Sequence, residues 1–399
     1  MEAYIVDWVH LGLRWFHVIA AITWVGSSFY FNRIDRLFKP PVPPIEYVSG
    51  QLWSIHGGAI YNYSRYPIGP GYVPNDLKWS RWESFGTWVS GALLLATVYW
   101  WGASVNLIQG GNGTLGPTAA ILISIASIVA SWFIYDILCR TIASDKMLSV
   151  AIAVFIAIAT WAFDQVFSPK AAFLHAGIAM ATIMAGNVWV IIMPGQKRML
   201  QAMRDGTIEQ FDVGADAKRR NYHNNYLTLP VVFAMLAAHF PFIYGHPQGW
   251  IGFLLISAAG VAVRRYVNTL HAGKGELRWI GLAVILTLIT MVWFAPQHLP
   301  NAKDGNTPVS LSHTELAQVA SVLENRCATC HAAKPTQPGF IVPPNGFIID
   351  SLQSAAHQAQ KIQQMAIATQ LMPPGNMTHM TEQERQLVAR WIAAGTPTQ

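Results

Sequence analysis

Apolar residues gather into eight runs, at about 8–31, 82–102, 117–138, 146–164, 170–193, 223–244, 249–271 and 278–295. Each is close to the ~20 residues that cross a hydrocarbon layer as a helix. None carries the polar outer stripe of a soluble surface helix. Stretches such as SGALLLAT, SIASIVAS and GIAMATIMAG are rich in small residues, which let helices approach closely where packing drives association. The pattern predicts an eight-helix membrane domain over residues 1–296. Residues 297–312 are polar and Pro/Asn-containing, without periodicity, and read as a linker. From 313 to 399 the pattern becomes that of a small soluble helical domain. ELAQVASVLENRCATCH predicts a helix running into a Cys-x-x-Cys-His turn. TEQERQLVARWIAAG predicts a closing helix, with Thr381 and Glu384 as the capping box and Gly395 past its end.

Composition agrees with this division. Charged residues make up 12% of the 399, about half the ~25% of soluble domains. Sixteen Trp and thirteen Tyr suit the headgroup level of a bilayer. A disordered chain is excluded. The net charge of +6 would suit nucleic acid only as a basic face on a soluble domain. Here the bases sit in loops instead. Loops 32–81 and 194–222 hold six Lys/Arg each, 139–146 and 272–278 two each, and the loops on the other side almost none. The positive-inside rule puts the basic loops in the cytoplasm. Both termini are then expected in the periplasm of a bacterial inner membrane. The N-terminus lacks the basic n-region and cleavage site of a removable signal, so the first run is expected to remain as a helix. No Walker loop, GxGxxG or HExxH is present.

CATCH at 327–331 is the c-type haem attachment pattern. Cys327 and Cys330 are expected to form thioethers and His331 to be the proximal ligand. Met372, in QLMPPGNM, is the expected second axial ligand, because the prolines hold an extended segment that can present sulfur to iron. Met365, Met377 and Met380 are the alternatives, Met377 first among them. A zinc site or a thiol-exchange pair would also use Cys-x-x-Cys, but zinc needs a second, regularly spaced ligand pair. The covalent haem also matches the predicted topology, since such haem is attached on the outer face. The expected fold class is therefore all-α: an eight-helix transmembrane bundle followed by a small class I cytochrome c domain.

Ionisable residues inside membrane helices are costly and often functional. His10 and His17 stand seven apart on one face of the first helix, and His175 and His239 fall at similar depth on the fifth and sixth. A structural, hydrogen-bonded role is the plain reading of any one of them. As a set they suggest bis-histidine haem b, with His17 and His175 the first pair and His239 next. Arg264 and Arg265 point about 100° apart on a helix, so snorkelling cannot serve both equally, and one is expected to face inward toward an anion. RRNYHNN is expected to open the sixth helix, placing Asn224 and Asn225 at an anion-favouring N-terminus. The Tyr- and Gly-rich stretch 40–81 is too long for a simple connector and reads as functional.

Three segments carry a resemblance: LRWFHVIAAITWVGSSFYFNRID, HGGAIYNYSRYPIGPGYVP and YHNNYLTLPVVFAMLAAHFP. They resemble the membrane-bound urate oxidase (urate hydroxylase) family, an eight-helix domain fused to a C-terminal cytochrome c. The first and third also resemble haem-binding membrane protoporphyrinogen oxidases, with His17 matching their first-helix histidine. The urate oxidase resemblance implies oxidation of urate to 5-hydroxyisourate, with electrons leaving through haem c to the respiratory chain and no hydrogen peroxide formed. It implies soluble cytochrome c or a terminal oxidase as acceptor, and no nucleic acid partner. A cytoplasmic urate site is then expected from Tyr61, Arg65, Asn224, Asn225 and Arg264, with His56 or His223 taking a proton. Crossing ~30 Å of bilayer calls for an intermediate cofactor, which is the argument for haem b. The alternatives are a non-catalytic subunit oxidising quinol and a transporter with a cytochrome sensor.

Overall fold

Most of the chain is helical in the computed structural model, which describes residues 2–66, 74–108, 115–207, 215–295, 311–338, 340 and 342–398. The first helix, α1 (Glu2–Leu37), turns Trp8, Trp15, Ile19 and Ile22 outward. A two-stranded antiparallel hairpin follows, β1 (Gly50–His56) and β2 (Ala59–Arg65), in register from Gly50↔Arg65 to His56↔Ala59. The all-α expectation holds for the fold as a whole, and this hairpin is the one sheet among the described residues. Its turn is Gly57–Gly58, both at positive φ, the backbone a tight two-residue hairpin turn requires.

Helix α2 (Trp82–Leu94) continues through π-helical turns at Leu95–Trp100 and Ala103–Leu107. Then come α3 (Pro117–Thr141) and α4 (Asp145–Val166), whose N-cap Ser144 accepts from the Met147 N–H. Helix α5 (Pro169–Arg204) contains a π-helical turn at Asn187–Ile192. Helix α6 (Ala215–Ala237) carries Pro230 inside it, and α7 (Gly249–His271) and α8 (Arg278–Trp293) complete this part. All eight predicted runs fall on helical segments. Among the described residues, five helices are long and apolar enough to cross a membrane: Tyr4–Leu37, Pro117–Thr141, Asp145–Val166, Pro169–Arg204 and Gly249–His271. Helix α8 is apolar but shorter. The other two differ for visible reasons: α2 gives way to π turns, and the first half of α6 is polar.

Helix α5 is the hub. Its buried Ala171, Ala172, Ala176 and Ala179 let α3, α4 and α6 pack closely on it, around a core that includes Leu95, Tyr135, Phe163, Phe173 and Phe253. A separate core of Val319, Ile349, Ile362, Val388 and Trp391 serves the C-terminal part. There α9 (His313–Leu323), α10 (Leu352–His357) and α11 (Glu382–Ala393) surround the Cys-x-x-Cys-His turn. The Thr381–Glu384 capping box is formed, and Gly395 follows at positive φ. A second box, Ser312–Glu315, opens α9. The predicted linker falls almost wholly outside the described residues.

Candidate functional site

The segment Glu324–His331 brings Cys327, Cys330 and His331 to one wall of an open cavity, and Met372 lies on the same cavity. His331 Nδ1 lies 2.9 Å from the Phe347 carbonyl oxygen. A carbonyl only accepts, so this nitrogen carries the hydrogen and Nε2 keeps its lone pair, the form an iron ligand needs. Arg385 donates to the Met372 carbonyl at 2.8 Å and fixes that segment. Met365 and Met380 also line the cavity, whereas Met377, the first alternative, is not among its lining residues. Burial pushes the Cys327 thiol up to about 11 and raises Cys330 as well. A thiol-exchange motif needs the opposite shift. Among the described residues, no three His, Cys, Asp or Glu side chains converge as a metal cluster, which leaves the zinc reading without ligands. The donor set fits a covalently attached haem.

The same cavity extends between α1, α2, α5 and α6, about 2500 Å³ in all. Single-ligand pockets are typically about 300–1,000 Å³, so its size allows more than one group. His17 lines it and His239 lies on its rim, together with Arg14 and Lys170. The hydroxyl of Ser90 donates to backbone carbonyls of α2, so it accepts from His17 Nδ1 at 2.9 Å. The Nε2 lone pair of His17 is therefore available.

His175 differs. Its Nδ1 donates to the Ala171 carbonyl at 2.7 Å, and its Nε2 meets the Ser124 hydroxyl at 2.7 Å. The ring is fully buried and stacked on Phe167. Both nitrogens are occupied and the ring does not line the cavity, which separates His175 from His17, with which it was expected to pair, whereas His239 shares that cavity with His17. Ser124, on α3, is what the sequence could not have paired with His175.

A buried polar network holds α3, α5 and α6 together. Arg220 pairs with Asp136 at 2.7 Å and Asp216 at 3.2 Å, and donates to Asn187 Oδ1. The Asn187 amide then donates to both Asn224 Oδ1 and the Tyr135 hydroxyl. That hydroxyl also lies 2.7 Å from His223 Nδ1, which ties the ring of His223 into the network. Helix α6 begins at Ala215. Asn224 and Asn225 therefore lie inside it, their backbone N–H groups within the helix and their side chains bonded to neighbouring helices, and the expected N-terminal anion site is not formed there. Asp136, alone in SWFIYDILCR, was the signal for this network.

Arg264 turns inward as expected and is 3% exposed, whereas Arg265 reaches the Tyr222 and Tyr226 hydroxyls. The Arg264 Nε donates to Asn225 Oδ1, and its guanidinium sits 3.8 Å from the centre of the Phe29 ring. Asn225 in turn donates to Asn32 and Asn268. His56 and Tyr61 are not part of this grouping: both are exposed on the hairpin. Arg65 is committed to Asp35 at 2.9 Å and to the Phe38 ring.

Residues 3–295 match the family described as urate oxidase, N-terminal. No curated protein and no solved structure matches the chain.

Proposed function

Because this chain belongs to the urate oxidase N-terminal family, which ties it to urate oxidation, we propose that it oxidises urate within the membrane-embedded part and passes the electrons to a haem c on its own C-terminal domain. Urate and water give 5-hydroxyisourate, two protons and two electrons. The protein would sit in a bacterial inner membrane with both termini periplasmic. Cys327 and Cys330 would hold the haem, with His331 and Met372 as axial ligands. His17 and His239, which line the same cavity, would hold a haem b in the bundle. These haems supply one-electron carriers; the chain's own residues supply their placement. A soluble cytochrome c or a terminal oxidase of the respiratory chain would take the electrons onward.

One observation carries this reading: the His17 wall and the Cys-x-x-Cys-His turn lie on one continuous cavity. The test is anaerobic addition of urate to the purified, haem-loaded protein. Reduction of the c-type bands is expected, and bands that stay ferric would overturn the proposal. His17→Ala should remove b-type haem from a pyridine extract while the c-type haem stays attached.

A further inference from the structure

We propose that the ends of α1 and α7 form a site for a flat organic anion, held by Arg36 and Arg264 and read along its edge by Asn225 and Asn268. A buried guanidinium costs several kcal/mol unless it is compensated. The chain compensates Arg220 with two carboxylates. Arg264 is as deeply buried and forms no ion pair among the described residues. Its partners are one amide oxygen and one aromatic ring. Arg36 stands one turn beyond Asn32, whose Oδ1 accepts from Asn225, and leaves a buried Nε without a partner. Asn268, 2% exposed, leaves its Nδ2 buried and unpartnered. The carboxylates on the flanking segments are already engaged, Asp35 with Arg65 and Glu276 with Arg278.

Helix C-termini favour cations, which suits Arg36 in the last turn of α1 but does not supply its buried Nε with a partner. That preference does not account for Arg264, two turns before its helix ends and facing inward. Two cations and an unpaired amide N–H stand at these helix ends with no free carboxylate beside them among the described residues, so the missing partner is an anion. The Phe29 ring and the amide edges suit a planar heterocycle bearing C=O and N–H groups. Its identity as urate rests on the function proposed above; the existence of the site does not.

Binding of urate and of the unreactive flat anion oxonate is to be measured by equilibrium dialysis on the haem-loaded full chain. Arg36→Gln should weaken both by about tenfold or more, and Arg36→Lys should recover part of the loss. Hypoxanthine, flat but neutral, should bind the variant and the parent alike. In turnover, Arg36→Gln should raise KM more than it lowers kcat. An unchanged c-type spectrum establishes that the variants fold. Urate oxidised by the parent but bound equally by Arg36→Gln would overturn the site and leave the function standing. Arg36-dependent oxonate binding in a protein that never oxidises urate would do the reverse. Inorganic phosphate bound as tightly as oxonate would overturn the assignment to a flat anion.

Discussion

Hydrogen-bond direction assigns the histidines. His17, His175 and His331 are each held by one oxygen that fixes the tautomer, but only His175 has its second nitrogen taken, by Ser124. The same bookkeeping makes Asp136 the anchor of Arg220. Removing one partner of a buried ion pair leaves an uncompensated charge, so Asp136→Ala should lower stability by about 3–5 kcal/mol, read by thermal unfolding in detergent. A variant as stable as the parent would show that Asp216 alone suffices. The sequence shows which histidines lie at similar depth, because helical position is local. It does not show which serine a neighbouring helix brings to each ring, and so His17 and His175 look alike until the packing is known.

Elements governed by near neighbours were legible, while those governed by packing were not. The capping boxes Ser312–Glu315, Ser351–Ser354 and Thr381–Glu384 each join residues three apart, and the one read from sequence, Thr381–Glu384, forms as predicted. The hairpin was missed although GQLWSIH and AIYNYSR flank a Gly-Gly turn, because the surrounding prolines and aromatics read as an irregular loop. The start of α6 at Ala215 was missed because its first turns are polar. The caps have a titration signature. The Ser312 backbone N–H, with its hydroxyl and Arg390, holds Glu315 below the usual carboxylate range. Burial works against Glu384, yet the Thr381 N–H and Arg326 still hold it low. A depressed carboxylate stabilises the fold above its unfolded value and loses that contribution as pH falls through its folded one. The C-terminal part should therefore lose stability as the pH drops below about 4.5, followed by its unfolding midpoint. The double variant Glu315→Gln, Glu384→Gln should flatten that dependence.

At the scale of the molecule, two cores meet at a narrow seam. A side-chain carbon at Gly245 would lie 2.6 Å from Thr369 and 2.9 Å from Leu371, closer than packed carbons tolerate. Gly245→Val should wedge the parts apart and slow urate-driven reduction of the c-type haem severalfold, with its spectrum unchanged. An unaltered rate would show that electrons pass elsewhere. Outward-facing Trp15, Ile22, Val150 and Ile158 form an apolar exterior of the kind that a bilayer covers. Eight apolar runs and a haem motif announced both parts, but the seam depends on a glycine that no local pattern marks. Its consequence is kinetic. A recipient carried on the donor's own backbone is met at a concentration fixed by the tether. In the proposed relay, dilution would therefore leave the first handover untouched, and scarcity of free carriers would be felt only one step later.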